Sequence, residues 1–511
     1  MENNIYILLT VFIPLFTTVV TLVLARHNRT QRWVGFAGSA LAWGCSLIVL
    51  MMVIGEGPQT YRMGGYVPPY GIVMVADMLS ALFGFMATTV MMAGFMYNIH
   101  SKEKSVGYPA FVPLFAVMAT GLNGSLYTGD LFTFFVFMEL MVLSSVAMVA
   151  MSDNRYGLEA AIKYVFISGM GTLFLLAGIA AMYITFGTLN LADMARLLIL
   201  TGENRELLAR SAAVMLMSAF LLKSAVFPFH FWQPDFHTTA PTAVSAMLSS
   251  VIVKVGIYMI IRTLTLLFTF EAPQIQNLLI FLGIIGIFFG SLAALRTYNG
   301  KRVLAYSTIG QVGFILVAIG WARLDNTGTV APLALTAAII YAFNHAFIKS
   351  ALLMIMGLVA GQSHEHSVDF VDIEGIGHKI PAIIGMLWFL GGMSLAGLPP
   401  MNGFISKFAI VRSGVAFGEW LPLGLAVGSG TLTLMYMFRT WQRVFQKKGE
   451  VSLHLLESHE KGDGWLAPAF LIGICILLGL YARPLVILAE QTAMQIMQPE
   501  IYISAVNLFG G

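Results

Sequence analysis

Ammonium groups are costly in hydrocarbon, yet Lys223, Lys254 and Lys407 lie deep inside long apolar segments. LMSAFLLKSAVFPFHFW surrounds Lys223, LSSVIVKVGIYMII surrounds Lys254 and LPPMNGFISKFAIV surrounds Lys407. An ionisable group at the centre of a bilayer costs roughly 2.5–3.5 kcal/mol on the mildest insertion scale. Glu139, in FFVFMELMVLSSVAM, adds a carboxylate in the same setting. A chain built this way must fold its charges inward and line them up along a buried polar track. Function is to be sought on that track.

The surrounding segments identify the solvent. Of 511 residues, 58% are hydrophobic and 10% charged, where a soluble domain carries about 25% charge. A spanning helix needs roughly 20 mostly apolar residues. Such segments fall near 5–25, 32–54, 74–98, 109–127, 130–151, 160–186, 210–230, 242–266, 274–296, 302–321, 330–358, 380–412, 422–446 and 465–490, about fourteen in all. The longest polar stretches, 187–209, 361–379 and 447–464, leave no room for a water-soluble domain. The expected class is an all-α polytopic protein of the cell membrane. MENNIYILLTVFIPL lacks the basic region and small-residue cleavage site of a signal peptide, so 5–25 is read as a retained first helix.

Orientation follows from the basic residues. With an external N-terminus and fourteen spans, both termini lie outside. Of the 28 Lys and Arg residues, those at 163, 223, 254, 349 and 407 fall inside spans, and the others divide 15 to 8 in favour of the cytoplasm. Arg26, Arg29, Arg32, Lys102, Lys104, Arg296, Lys301, Arg302, Arg439, Arg443, Lys447 and Lys448 carry that excess, as the positive-inside rule requires.

Several function classes drop out. A net charge of +3, with basic residues spread among loops, gives no basis for nucleic-acid binding. Cys45 and Cys475, both in apolar spans, support neither a disulfide framework nor a cysteine-ligated iron–sulfur cluster. No nucleophile–base triad, phosphate-binding glycine motif or CxxC is present. Neither intrinsic catalytic chemistry nor a cofactor is expected.

Two spans carry internal breaks. Pro228 interrupts the seventh, and Pro399, Pro400 and Gly403 interrupt the twelfth in LAGLPPMNGF. Irregular backbone at membrane depth is tolerated where it faces protein or a wet cavity, and paired breaks point to inverted repeats. AAIKYVFISGMGTLFLLAG (160–178) echoes AAIIYAFNHAFIKSALLMIMG (337–357), each one span before a break. The expected organisation is N-terminal helices over 1–108, five-helix repeats over 109–266 and 274–446, and a last helix over 465–490.

Glu139 and Lys223 form the first candidate pair. Each should seek the other or neutralise, so their approach and separation would work as a proton gate; a static ion pair fixing helix packing is the competing reading. His345 and Lys349 are i and i+4 and share a helix face. Histidine titrates near neutral pH, so His345 can relay between Lys254, Lys349 and Lys407; a core histidine bonded to a carbonyl is the plainer alternative. Snorkelling to an interface competes for Lys254 and Lys407, and stands level with function for Lys163, near a helix start. His230, Asp235 and His237 in PFHFWQPDFHTTAPTAVSA match no strong metal template, and a cytoplasmic proton entrance suits them at least as well. His364 and His366 read as a solvated loop, Asp77 as a helix-start carboxylate, and no metal site is expected.

These motifs, taken in order, resemble the antiporter-like subunits shared by Mrp-type cation/proton antiporters, respiratory complex I and membrane-bound hydrogenases. The likeness spans roughly residues 70–445 and rests on KSAVFPFHFWQPDFHTTAPTAVSAMLSSVIVKVGIYMIIR (223–262), KRVLAYSTIGQVGFI (301–315), NHAFIKSALLM (344–354) and GLPPMNGFISKF (397–408). It implies fourteen helices, inverted five-helix repeats and a central hydrophilic axis. Glu139, Lys223, Lys254, His345 and Lys407 occupy the family's axis positions. Lysine at 407 resembles the Mrp D-type, where one complex I subunit carries glutamate. The chain stops about 20 residues after its last span, without the lateral helix of the largest complex I subunit or the additional C-terminal helices of the Mrp A-type, which again suits a D-like subunit. The resemblance implies partner membrane subunits, with protons and sodium ions as the transported species. A proton-pumping subunit of a redox-driven complex is the alternative.

Overall fold

A computed structural model of the chain describes residues 3–66, 68–201, 207–323, 330–363, 367–447 and 464–506. His364, His366 and Lys448, named above, lie outside the described residues.

Polar residues at the membrane boundary decide where the apolar segments start. Helices α1 (Ile5–Val23) and α2 (Asn28–Glu56) pack against each other. A small hairpin follows, β1 (Gln59–Arg62) antiparallel to β2 (Val73–Ala76), with Gln59 opposite Ala76. The span expected from residue 74 therefore begins later. Asp77 starts it with a capping box: its Oδ1 accepts from Ser80 N at 3.0 Å, while Ser80 Oγ accepts from Asp77 N at 2.9 Å. From there α3 runs over Met78–His100 and α4 over Phe111–Tyr127. Asp130 caps α5 (Leu131–Ala150) and Asn154 caps α6 (Arg155–Phe186) through bonds of 2.7 and 2.8 Å to backbone N–H groups. The short α7 (Leu191–Thr201) leads to α8 (Leu207–Lys223).

The first break falls where Pro228 places it. Helix α8 ends at Lys223, and the chain resumes as α9 (Trp232–Thr239). Next, α10 (Thr242–Met247), a π-helical turn (Leu248–Ile252) and α11 (Val253–Leu266) follow one another without a gap. Helices α12 (Ala272–Arg296) and α13 (Gly300–Trp321) approach closely. A Cβ on Gly283 would sit 2.8 Å from Gly313 O, and one on Gly313 2.5 Å from Gly283 O, so this contact needs glycine on both sides. Helix α14 (Val330–Ala360) comes next, then the short α15 (Phe370–Ile373). The second break separates α16 (Ala382–Ala396) from α17 (Asn402–Phe417), and α18 (Trp420–Trp441) follows.

The end of the chain departs from the expected single helix over 465–490. Helix α19 (Leu466–Leu480) turns by 82° into α20 (Arg483–Ile496), and α21 (Pro499–Val506) completes the fold. Pro484 stands in the first turn of α20, where its missing N–H is tolerated, and it blocks continuation from α19.

Among the described residues, ten helices are long and apolar enough to cross a membrane, and α19–α20 is one of two further bent pairs. The fold is a polytopic helical membrane fold. Helices α3, α10–α11, α13 and α14 make its centre, buried on nearly every face. On the outside, Ile162, Phe166 and Leu173 of α6 are 69%, 71% and 67% exposed. Such a face needs lipid or a protein neighbour.

Candidate functional site

The end of α8 brings the first charged group into place. Lys223 is its last residue and is buried, and its Nζ meets Glu139 Oε1 on α5 at 2.9 Å. Helix α6 crosses between them and supplies two hydroxyls one turn apart. Lys223 Nζ donates to Ser168 Oγ at 2.5 Å and to Thr172 Oγ1 at 3.3 Å, while Thr172 Oγ1 donates to Glu139 Oε1 at 2.5 Å. A cavity of about 10 Å³ adjoins Lys223, lined also by Ser168, Tyr164, Trp232 and Ile252. It has room for about one water. The expected pair exists, and a hydroxyl-bearing helix holds it.

The second group sits at the centre of the fold. Lys254 is fully buried, and its Nζ donates to Ser249 O at 3.2 Å. Ser249 lies in the π-helical turn, where the register shift changes which carbonyls the helix itself uses. Ser249 Oγ shares a 2.5 Å hydrogen bond with Thr308 Oγ1 on α13, and Thr308 donates to Leu304 O at 3.0 Å. The same carbonyl accepts from Lys349 Nζ at 2.7 Å. Ser249 and α13 thus lie between Lys254 and Lys349, each lysine held by a main-chain carbonyl and the two carbonyl-bearing stretches tied by the Ser249 and Thr308 hydroxyls.

His345, one turn before Lys349, is 2% exposed, and neither ring nitrogen has a hydrogen-bond partner among the described residues. The reading of it as a core histidine bonded to a carbonyl therefore fails. Its ring borders a cavity of about 10 Å³ with Gln311, Tyr341, Ser394, Gly403 and Ser406. Tyr341 donates to Gln311 Oε1 at 2.5 Å. Next to it, Asn344 Nδ2 donates to Ser406 Oγ at 2.9 Å, and Asn402 Nδ2 to Asn344 Oδ1 at 3.1 Å, which ties α14 to the start of α17.

The third group uses the second break. Gly397, with φ 81°, ends α16 in a left-handed turn. Lys407 from α17 reaches back to donate to Ala396 O at 2.6 Å, with its ammonium 5.7 Å from the Phe314 ring centre. A cation at the C-terminus of a helix is favourably placed. Lys407 therefore turns toward the break and does not snorkel.

The histidine-rich segment after the first break separates into three environments. His237 is fully buried, with Nδ1 bonded to Ser245 Oγ at 2.7 Å, and lies within charge–charge range of Lys349 and Lys301. Asp235 is held between two cations, Lys163 and Arg302, each at 2.9 Å. His230 stacks against Phe227 and meets the Phe289 ring at a tilt of 58°. Sequence reasoning did not single out Ser168, Thr172, Ser249, Thr308 or Gln311, nor Arg262, whose guanidinium grips Asp77.

Known proteins share this architecture. Residues 128–433 match the family described as NADH:quinone oxidoreductase/Mrp antiporter, TM. The chain is 31% identical over 511 residues to the D-type subunit of the Na(+)/H(+) antiporter of Alkalihalophilus pseudofirmus, covering 99% of each protein. Its fold matches a chain of the Mrp complex from Dietzia sp. with a TM-score of 0.87 at 24% identity, over 98% of this chain and 99% of that one. A chain of an archaeal respiratory complex, the membrane-bound sulfane sulfur reductase, matches with a TM-score of 0.87 at 26% identity, over 98% and 100%. The chain belongs to the family of membrane subunits shared by NADH:quinone oxidoreductases and Mrp antiporters.

Proposed function

We propose that the chain is the D-type subunit of a multisubunit Mrp-type sodium/proton antiporter in the cell membrane, and that it moves the protons. The observation that carries this reading is the Lys223–Glu139 pair at the mouth of a broken helix, in a fold that also buries Lys254 and Lys349. A lysine held 2.9 Å from a carboxylate keeps its proton; withdrawn from it into a dry interior, it releases the proton. Protons reach the axis from the cytoplasm near His237, run along Lys254, Lys349 and His345, and leave past Lys407. His230 and Asp235 flank the intake. Fourteen spans result when α4, α8–α9, α16–α17 and α19 are counted with the longer helices. The breaks then sit in the first repeat, 109–266, and the second, 274–446, framed by helices over 1–108 and a last helix from 465. Both termini lie outside.

The test uses the whole complex in proteoliposomes under a sodium gradient. K223A and E139Q are expected to reduce proton flux to background while subunit assembly on native gels stays normal. Unchanged flux in both variants overturns the reading.

A second reading has support in the likeness to a chain of the sulfane sulfur reductase: the same axis driven by electron transfer in partner subunits. Iron or nickel in complex purified from its native membrane supports that reading, and metal-free complex with sodium-dependent flux supports the antiporter.

A further inference from the structure

Between α9, α10, α13 and α14 lies a compartment whose polar atoms outnumber their partners. Gln233 is fully buried, yet neither Oε1 nor Nε2 of its amide has a hydrogen-bond partner among the described residues. One turn on, His237 spends Nδ1 on Ser245 and leaves Nε2 unpartnered. Thr242 Oγ1, at the start of α10, is likewise buried and unpartnered. Burying such groups dry is strongly unfavourable, and water bonded to them would remove that cost.

The compartment has a charged rim and a charged floor. At the rim, Glu103, half-buried in the connection between α3 and α4, accepts from Thr242 N at 2.9 and 3.2 Å. Lys301 of α13 lies within charge–charge range of that carboxylate and donates to Ala240 O at 3.4 Å. At the floor, Lys349 binds Leu304 O, one turn along α13 from Lys301. His237 lies within charge–charge range of both lysines. The titratable groups thus run in sequence from a half-exposed carboxylate to a fully buried amine.

Asp235 does not offer the same route. Both its oxygens are held, one by Lys163 and one by Arg302, which makes it a brace at the surface.

We infer that Glu103, Lys301 and His237 form the cytoplasmic port through which protons reach Lys349, with Gln233 and Thr242 holding the water between them. This rests on the proton-moving role proposed above and names its intake. A proton arriving from bulk water at the Glu103 carboxylate passes through that water to His237 Nε2 and on to Lys349. Lys301 acts as a positioning residue: its ammonium binds Ala240 O, two residues before the Thr242 N–H that Glu103 holds.

The experiment compares E103Q, K301M, K301R and Q233L in the intact complex, reconstituted in one orientation, with K223A as the control. An amide oxygen at 103 still accepts from Thr242 N, so E103Q keeps the cap and removes only the titratable group. E103Q, K301M and Q233L are expected to slow proton flux about tenfold or more, through a changed response to cytoplasmic pH, with the response to external pH unaltered. K301R is expected to restore flux. If K223A is inactive while E103Q, K301M and Q233L all run at the wild-type rate, or if they alter the responses to the two sides equally, the port is wrong. If K223A itself transports normally, the underlying proton-moving role fails instead.

Discussion

Arg262 and Asp77 form a two-pronged ion pair, Nη1 to Oδ2 at 2.5 Å and Nη2 to Oδ1 at 2.7 Å, with both side chains only 3% exposed. Tyr258 accepts from the same guanidinium at 3.2 Å, and the Tyr502 ring lies under it with its centre 4.9 Å away. The pair pins the end of α11 to the start of α3 and to α21. Lys254, Tyr258 and Arg262 follow one another at intervals of four along α11, so the pin also fixes the direction in which Lys254 points.

Removing one partner of such a pair leaves an uncompensated buried charge, which costs about 3–5 kcal/mol. D77L and R262M are therefore each expected to lower the thermal unfolding midpoint of the purified complex strongly. The double variant D77L with R262M carries no orphaned charge and is expected to recover much of the loss. Equal destabilisation by the single and double variants would remove the pair from the account of stability.

The hydroxyls around Lys223 give a graded counterpart. Thr172 donates to Glu139 at 2.5 Å and accepts from Lys223 at 3.3 Å, so T172V removes a bridge and leaves both charges. A hydrogen bond to a charged group contributes about 1.5–3 kcal/mol, and about 1.4 kcal/mol is tenfold in rate. T172V is expected to slow proton flux roughly tenfold with assembly intact. Flux at the wild-type level, measured in proteoliposomes, would show that the threonine only fills space.

The charged positions of the axis were legible in the sequence because burial makes them expensive: Lys223, Lys254, Lys349, His345 and Glu139 stand out against apolar surroundings. Their connections were not. Serine and threonine in membrane helices bond mostly to their own backbone, so Thr308 carries no mark that separates it from Thr336, whose hydroxyl bonds Pro332 O at 2.8 Å. Arg262 was hidden for a different reason: near a span end it reads as one more boundary arginine, and its partner Asp77 reads as a cap, which it also is. Both breaks were visible through proline. The turn between α19 and α20 was passed over because the apolar run continues across Tyr481 and the proline comes after it. The hairpin was hidden because Val73–Ala76 is as apolar as a helix.

Thr308 itself supplies a coupling test. It shares a hydrogen bond with Ser249 at 2.5 Å, which ties the turn whose carbonyl holds Lys254 to the stretch of α13 whose carbonyl holds Lys349. If protons use that connection, S249A and T308V each break the same link. The double variant is then expected to be no slower than the worse single variant, since two changes on one path do not add. Multiplying effects in flux assays would place the two hydroxyls on separate routes.

The second break gives the sharpest separation between stability and transport. A Cβ on Gly403 would lie 1.7 Å from the Ser394 carbonyl oxygen, a backbone atom with nowhere to go, so G403A is expected to prevent folding of the break and to deplete the complex from membranes. Gly397 differs. Its φ of 81° suits glycine, and a Cβ there would meet the Lys407 side chain, with Cδ at 2.5 Å. The backbone strain costs about 1–2 kcal/mol, which a large membrane fold survives, but Lys407 must swing away from Ala396 O. G397A is therefore expected to assemble, with a lowered unfolding midpoint and lost transport. Pairing it with K407A removes the clash, so the midpoint should rise while transport stays absent. Recovery of transport in the double variant would show that protons leave without Lys407.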